Sequence, residues 1–308
     1  MHPISPVGFS PYRRLTVVDK DALAEFLTEH YGDETWYLDT GGDWLRTYLE
    51  DKNVIILGLL DTTETIRGCI FSTPFSRHEE PVAMGGHNFS NVRVIEGLCI
   101  HKDFRKKGLA NYLLSAIDRV TSQHAPTIHF YSRELPYVPL LSSHLNVKTY
   151  AYIECSLALR KHPVEQVDWD TFCMLWDSNK SNWSHLDCIA SPVSRRGDVT
   201  VWRCKSEVIV VTNTRRRTRA EGRILWETIW CGTLVGGLLY PNRVSRESVE
   251  SVASMYTGVL FIMREQCMEP TLGASWRVGW SGVHAWYIYN FLPPTFGGCE
   301  LQVVREEI

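Results

Sequence analysis

The sequence lacks the features that mark secreted, metal-binding and membrane-spanning proteins. Its nine cysteines are widely scattered, form no CxxC pair and are odd in number, which argues against a disulfide framework. The 11 histidines form no HExxH or His-x-His group, so we expect no protein-bound metal. The richest apolar run, residues 54–60, is too short to span a bilayer, and the amino-terminal residues lack a signal-peptide pattern. We therefore expect a cytoplasmic protein with no transmembrane segment.

An excess of one charge is also missing. The chain has 32 Lys and Arg against 35 Asp and Glu, a formal net charge of −3, so no overall field attracts nucleic acid and we expect no such partner. Hydrophobic residues make up 44% and charged residues 22% of the 308 positions. This is the composition of a globular protein with one large domain or two smaller ones.

The first half alternates between helical and strand patterns. Apolar spacing predicts helices over residues 22–31, around 44–48 and over 109–120. Continuous β-rich runs predict strands at 54–60, 65–72, 92–100, 127–132 and 150–159, the first two forming a hairpin. The segment 77–90, with two His, two Glu and a Gly pair, predicts a mobile loop.

A polar stretch over residues 160–170 predicts a boundary, with domains at 1–160 and 161–308. The second half begins with a short predicted helix at 171–176 and an irregular stretch at 178–196. Three β-rich segments, 198–203, 206–213 and 223–231, then predict an antiparallel meander. A helical run follows at 249–262, and two β-like segments follow at 285–291 and 301–304. The whole pattern predicts an α+β fold.

The most informative segment, residues 96–120, places a strand, a basic loop and an amphipathic helix in succession. A helix amino terminus presents unpaired backbone N–H groups, and Gly108 lets an anion approach them closely. Arg105, Lys106 and Lys107 add positive charge at the same place. The segment suits a diphosphate, although neither the Walker motif nor GxGxxG is present.

The pattern R-x-x-G-x-A at residues 105–110 resembles the acyl-CoA signature of the GNAT acyltransferase superfamily. In that family the loop cradles the CoA pyrophosphate, and the preceding strand splays to hold the thioester. The resemblance implies a mixed, mostly antiparallel sheet with flanking helices.

Four segments resemble eukaryotic glycylpeptide N-tetradecanoyltransferases (N-myristoyltransferases). Leu98-Cys99-Ile100-His101-Lys102 is similar to that family's F-L-C-V-H-K-K strand. Gly8-Phe9 with His30 to Glu34, Ser143 to Asn146, and Ala285 to Pro293 resemble further family segments in the same order. This resemblance implies two tandem GNAT-like halves that transfer a fatty acyl group from CoA to an amine, above all to a protein's amino-terminal glycine. It implies acyl-CoA (myristoyl-CoA or acetyl-CoA) as co-substrate, no permanent cofactor, and a peptide or small amine as partner.

The same resemblance implies roles for individual residues. Backbone N–H groups of Gly97 and Leu98 would form the oxyanion hole. The base would be the terminal carboxylate of Ile308, a side chain of Glu306 or Glu307, or Glu96, which equally well pairs with Arg93 or faces solvent. The acyl-CoA site would comprise Phe9, Gly97, Leu98, Cys99, Ile100, Arg105, Lys106, Lys107, Gly108, Leu109 and Ala110. The acceptor site would comprise Tyr31, Asp33, Trp36 and Leu38.

Departures from the family pattern leave alternatives open. Glu96 stands in place of an Asn, Gly97 of a Phe and Gly108 of a basic residue, and the tail is about two residues longer. The alternatives are acetylation of a protein lysine or small amine, and a catalytically silent module that binds CoA or peptide. Cys99 is interpreted as a packed strand residue rather than a nucleophile. The arginine-rich run 214–223 predicts a charged hairpin tip that acyl-CoA binding does not need.

Overall fold

A computed structural model describes residues 8–9, 11–84, 86–123, 125–134, 143–155, 162–183, 188–256, 260–264, 276–289, 301–302 and 304–305. Within these residues the helices are α1 (Lys20–His30), α2 (Trp44–Glu50), α3 (Leu109–Thr121), α4 (Trp169–Asn179) and α5 (Arg246–Ala253). The helices predicted at 22–31, 44–48, 109–120 and 171–176 correspond to α1, α2, α3 and α4 and are thus confirmed. None of the helices in the described part of the chain is long and apolar enough to cross a bilayer.

The described residues also form 18 strands. In order they are β1 (Arg13–Arg14), β2 (Trp36–Leu38), β3 (Ile55–Leu60), β4 (Ile66–Pro74), β5 (Val82–Met84), β6 (His87–Phe89), β7 (Val92–Ile100), β8 (Ile128–Glu134), β9 (Ser143–Cys155), β10 (Glu165–Val167), β11 (Cys188–Ile189), β12 (Val199–Cys204), β13 (Glu207–Thr218), β14 (Ile224–Val235), β15 (Leu238–Pro241), β16 (Leu260–Arg264), β17 (Trp276–Tyr289) and β18 (Leu301–Gln302). Of the predicted strand 150–159, residues 156–159 lie outside the described residues, as do residues 290–291 and 303 of the last two predicted β segments.

Fourteen of these strands form one sheet, in which the two halves of the chain repeat one arrangement. In the first half β3, β4 and β7 form an antiparallel meander, and α3 then leads into β8, parallel to β7. In the second half β12, β13 and β14 form the predicted meander, and α5 precedes β16, parallel to β14. This mixed, mostly antiparallel sheet with flanking helices confirms the predicted fold class.

The last strand of each half crosses to the other half. Strand β9 pairs with β16, and β17 pairs with β8, both antiparallel. At the centre β9 and β17 pair with each other along most of their lengths. The sheet therefore runs continuously across the boundary expected near residue 160, and the division into domains 1–160 and 161–308 stays a prediction.

Helix α3 is amphipathic, and its buried side chains Leu109, Leu113, Ala116 and Ile117 pack on the sheet. Helix α4 begins at Trp169 and is capped by Asp168, whose carboxylate accepts a hydrogen bond from the Thr171 N–H at 3.0 Å. These helices are placed by burial of one face and by capping, two signals that are visible in the sequence.

Three predicted segments differ from the structure. The helical run expected through residue 262 ends at Ala253, and Leu260–Arg264 is a strand between β14 and β9. The expected mobile loop 77–90 contains a turn of 3₁₀-helix and the hairpin β5–β6, with Val82 and Met84 buried. The expected irregular stretch 178–196 contains β11, which joins β5, β6 and β18 in a small second sheet. In the hairpin, burial of alternate residues decides the structure over the local Gly pair.

Candidate active site

A cavity of about 660 Å³ lies where the end of α1, the end of β7 and the start of α3 meet. Its described lining comprises His30, Tyr31, Gly32, Asp33, Trp36, Leu98, Cys99, Ile100, Phe104, Arg105, Lys106, Gly108, Leu109, Ala110, Asn111 and Arg216. Most of the residues predicted for acyl-CoA and acceptor binding are therefore brought together around one space. A cavity of this size falls within the usual range for small-molecule and cofactor sites.

Strand β7 splays away from β8 at the cavity. The two strands pair only through the first three residues of each, Val92–Val94 with Ile128–Phe130. The other edge of β8 pairs with β17 over residues 129–134, and beyond Val94 β7 has no partner on the β8 side within the described residues. Leu98, Cys99 and Ile100, which lie in this unpaired part of β7, line the cavity.

A β-bulge interrupts β7 at Gly97 and Leu98. The register to β4 pairs Phe71 with Glu96 and Cys69 with Cys99, so Gly97 and Leu98 together lie opposite Ile70. Gly97 has a φ of +59°, and a Cβ there would lie 2.4 Å from Cδ2 of Phe71. Only glycine meets both conditions without strain. The bulge changes the direction of the peptide groups at the point where β7 reaches the cavity.

The loop after β7 delivers the amino terminus of α3 to the same cavity. Gly108, the residue before the helix, has a φ of +78°, and no side chain caps the helix. The N–H groups of Leu109, Ala110 and Asn111 have no acceptor among the described residues. The positive end of the helix dipole adds to their affinity for an anion.

The basic residues of the loop do different things. Arg105 donates hydrogen bonds from Nε to the Ile100 carbonyl oxygen (3.0 Å) and from Nη2 to the His30 carbonyl oxygen (2.8 Å). It therefore ties the loop to β7 and to the end of α1. Lys106 is exposed at the cavity rim, whereas the Lys107 ammonium lies 4.8 Å from the ring centroid of Phe104 and outside the lining.

The predicted acceptor residues lie around the start of β2. Tyr31, Asp33 and Trp36 line the cavity, whereas Leu38 is fully buried in the core. Burial raises the pKa of Tyr31 to about 12. Although burial opposes it, hydrogen bonds from Thr35 and Trp36 hold the pKa of Asp33 below its usual value. Oδ1 of Asp33 accepts these hydrogen bonds, with the Thr35 N–H at 2.6 Å.

His30 lines the cavity and was not predicted from the sequence as a site residue. It ends α1, is 5% exposed, and its ring centroid lies 4.0 Å from that of His101. Burial lowers the pKa of His30 below its usual value, and the neighbouring charge of His101 acts in the same direction. The imidazole is therefore neutral at neutral pH.

Arg216 enters the cavity from the second half of the chain. The run 214–223 is a hairpin tip only from residue 219 onward, because β13 extends to Thr218 and pairs with β2. Arg216 lies opposite Leu38 in that pairing, and its guanidinium is 4.7 Å from the Trp36 ring centroid. The sequence contained no local signal for this position, because the pairing joins residues about 180 positions apart.

Glu96 lies just behind the bulge, in a buried ion pair. Its Oε1 accepts hydrogen bonds from Thr73 (2.7 Å) and from Nη2 of Arg305 (3.2 Å), and both charged side chains are nearly fully buried. The partner of Glu96 is therefore Arg305, and Arg93 instead bonds to Ser72 and to the Asn53 carbonyl oxygen. Arg305 also forms an isolated β-bridge with Val193. The ion pair and this bridge together hold Arg305 beside β7.

The remaining predicted residues lie near the cavity or outside the described chain. Phe9 packs edge-to-face on Phe104, 5.4 Å between centroids, and so supports the cavity wall from behind. Cys99 is buried, and burial raises its pKa to about 12, which opposes formation of a thiolate nucleophile. Ile308, with Glu306 and Glu307, lies outside the described residues.

Comparison with solved structures shows the fold. A Saccharomyces cerevisiae N-myristoyltransferase with bound myristoyl-CoA has a TM-score of 0.67 and 10% identity, covering 94% of this chain and 84% of that one. A second structure of that yeast enzyme, with bound myristoyl-CoA and inhibitors, gives 0.69 and 11%, covering 94% and 82%. A GCN5-related N-acetyltransferase from Kribbella flavida gives 0.51 and 10%, covering 92% and 71%.

No protein-family model and no curated protein sequence matches the chain. The chain nevertheless has a fold like that of the yeast N-myristoyltransferase, with two GNAT-like halves.

Proposed function

We propose that this protein is an acyl-CoA-dependent N-acyltransferase that transfers a fatty acyl group, above all myristoyl, to the amino-terminal glycine of a protein. The observation that carries the proposal is the splayed, bulged strand β7 leading into an uncapped helix amino terminus at one cavity. That arrangement offers a place for a thioester beside a place for a diphosphate. The similarity in fold to the yeast enzyme with bound myristoyl-CoA supports the longer acyl chain.

In this proposal the amino terminus of α3 and Lys106 bind the CoA phosphates, and the peptide N–H groups of Gly97 and Leu98 polarise the thioester carbonyl. The acceptor ammonium first loses a proton to a base, and its nitrogen lone pair then attacks the carbonyl carbon. The C–N bond forms, the C–S bond breaks, and the thiolate of CoA takes the second proton from the nitrogen. The products are an amide, free CoA and one proton.

We assign the base to the carboxylates of the segment 306–308 rather than to Glu96. Glu96 is paired with the buried Arg305, and protonation of Glu96 would leave that guanidinium without its counter-charge, which is unfavourable. Arg305 lies next to Glu96, one residue from the bulge, and three residues of chain can span at most about 10 Å. Deleting residues 306–308, while Arg305 is kept, should lower turnover by about 10²–10⁴-fold and leave acyl-CoA affinity unchanged.

Thermal unfolding with myristoyl-CoA, acetyl-CoA and CoA tests the co-substrate. A ligand at 100 times its dissociation constant adds about 2.7 kcal/mol to the free energy of unfolding. A larger shift with myristoyl-CoA than with acetyl-CoA supports the fatty acyl chain, and the reverse order favours acetylation of a lysine or small amine. Release of CoA thiol in the presence of a peptide that begins with glycine then tests transfer. Binding without release would indicate a catalytically silent module.

The Lys106→Glu variant tests the diphosphate site, and Lys205→Glu is its matched control. Both lysines are exposed and have a positive φ, but Lys205 lies in the turn between β12 and β13. Reversal of the charge at Lys106 should weaken acyl-CoA binding about tenfold, equivalent to about 1.4 kcal/mol, measured by calorimetry. Equal affinities in the two variants would contradict the assignment.

A further inference from the structure

The peptide groups of the β7 bulge must keep one orientation if their N–H groups are to bind an oxyanion. The N–H of Gly97 belongs to the peptide group that joins Glu96 to Gly97, so its direction depends on the backbone of both residues. Gly97 has no side chain that could anchor it, and its carbonyl oxygen accepts only a weak hydrogen bond from the Cys69 thiol, at 3.5 Å. Glu96 is therefore the residue whose side chain can anchor this peptide group most directly.

The Glu96 side chain is held from two sides. Glu96 is the last residue of β7 that pairs with β4 before the bulge, where it lies opposite Phe71. Its Oε1 accepts one hydrogen bond from Thr73 on β4 and another from Arg305 in the tail. Its Oε2 has no hydrogen-bond partner among the described residues. The two hydrogen bonds to Oε1 thus orient the carboxylate.

Arg305 connects Glu96 to β4 from a separate segment of the chain. Its Nη2 also donates to the Thr73 hydroxyl at 2.7 Å, and its Nη1 donates to the Pro74 carbonyl oxygen at 3.3 Å. The Arg305 side chain is 3% exposed, so water does not compete for these hydrogen bonds. Its guanidinium also balances the Glu96 carboxylate, a negative charge that would otherwise oppose formation of an oxyanion nearby.

We propose that Arg305 is a positioning residue for acyl transfer, which acts through Glu96 to hold the Gly97 N–H in the direction that polarises the thioester carbonyl. This inference rests on the proposed function and names a residue that supports it without touching the substrate. A misplacement of about 1 Å can lower a rate by about 10²-fold. Affinity for acyl-CoA should change little, because in the proposed function the CoA phosphates bind at the amino terminus of α3.

The test measures the stretching frequency of the thioester carbonyl of bound myristoyl-CoA by infrared spectroscopy, with an isotope label at the carbonyl carbon. The sample contains no acceptor, so no base takes part and any effect of residues 306–308 on proton transfer is left out. The variants are Arg305→Met, Arg305→Lys and the double variant Glu96→Leu with Arg305→Met. The matched control is Arg93→Met, because Arg93 is also a buried arginine on β7 but bonds to Ser72.

In the wild-type protein the carbonyl frequency should lie below that of free myristoyl-CoA, because hydrogen-bond donors polarise the C=O bond. Arg305→Met should lose most of this downshift and lower kcat about 10- to 100-fold. Arg305→Lys should keep part of the downshift, and Arg93→Met should keep all of it. The dissociation constant of myristoyl-CoA, measured by calorimetry, should be the same in all these proteins.

The double variant separates positioning from stability. Removal of both charges leaves no buried charge unpaired, so this variant should unfold at nearly the wild-type urea concentration. Its carbonyl downshift should nevertheless stay lost, and it decides the question alone if Arg305→Met does not fold.

A wild-type downshift and turnover in the double variant would overturn the inference, because the ion pair would then serve stability alone. An equal loss of downshift in Arg93→Met and Arg305→Met would also overturn it. Absence of a downshift in the wild-type protein itself would instead refute the oxyanion site of the proposed function.

Discussion

Replacement of Gly97 by alanine should destabilise the protein much more than the same replacement at Gly108. Both glycines have a positive φ, +59° and +78°, so a side chain at either position adopts a left-handed conformation. Their surroundings differ, because a Cβ at Gly97 would lie 2.4 Å from Phe71, whereas a Cβ at Gly108 would meet no atom within 4 Å. The pair therefore separates the cost of backbone conformation from the cost of a steric clash.

The expected magnitudes follow from those two costs. The left-handed conformation costs an alanine about 1–2 kcal/mol at either position. At Gly97 the clash adds about 1–3 kcal/mol, because Phe71 is fully buried and its ring packs edge-to-face on Tyr48. We therefore expect about 2–5 kcal/mol of destabilisation for Gly97→Ala and about 1–2 kcal/mol for Gly108→Ala.

Equilibrium unfolding in urea measures both differences, provided that the slope against urea stays constant. A double-mutant cycle with Phe71→Leu adds an internal check, since the smaller side chain gives the new methyl group room. The coupling energy between positions 97 and 71 should be favourable, whereas positions 108 and 71 should be additive. Equal destabilisation by the two alanine substitutions would refute the bulge geometry on which the proposed oxyanion site depends.

Two further predictions concern buried charges. Glu96→Gln should reduce the free energy of unfolding by about 3–5 kcal/mol, because it leaves Arg305 buried without its ionic partner, and the double variant Glu96→Leu with Arg305→Met should recover most of that loss. If the single and double variants unfold at the same urea concentration, the ion pair is not formed. Burial lowers the pKa of His129 to about 4. Between about pH 6.5 and pH 4 the unfolded chain therefore binds a proton at His129 that the folded chain does not bind. The free energy of unfolding should decrease by at most about 3 kcal/mol as the pH is lowered over this range. The free energy of unfolding, measured from pH 7 to pH 4.5, should depend less on pH in the His129→Gln variant than in the wild-type protein. The same dependence on pH in both proteins would contradict the assignment.

The elements that local patterns define were predictable from the sequence. Strand β7 matches its predicted bounds, and α3 is one residue longer than predicted, because a continuous β-rich run and a one-sided apolar helix are local signals. The basic loop between them was recognisable for the same reason. The glycine at position 97 marked a departure from the family pattern, but the clash that requires it involves Phe71 on another strand.

The contributions of distant segments were not predictable. Leu260–Arg264 has apolar residues that suit either a helix or a buried strand, and only its pairing with β14 and β9 decides between them. Arg216 and Arg305 reach the site region through pairings with residues about 180 and 210 positions away. A charge run in one sequence does not show which of its members faces a cavity.

The exchange of β9 and β17 between the halves has a consequence for synthesis of the chain. Strand β8 leaves the ribosome with Glu134, but its antiparallel neighbour β17 begins only at Trp276. At about 5–20 residues per second, this separation of about 140 residues delays pairing by roughly 7–30 seconds. During that interval the inner edge of β8 exposes unpaired backbone groups, which is a hazard for association with other nascent chains. Slower translation should therefore increase aggregation of this protein during expression. Co-expression of the second half as a separate chain should reduce that aggregation.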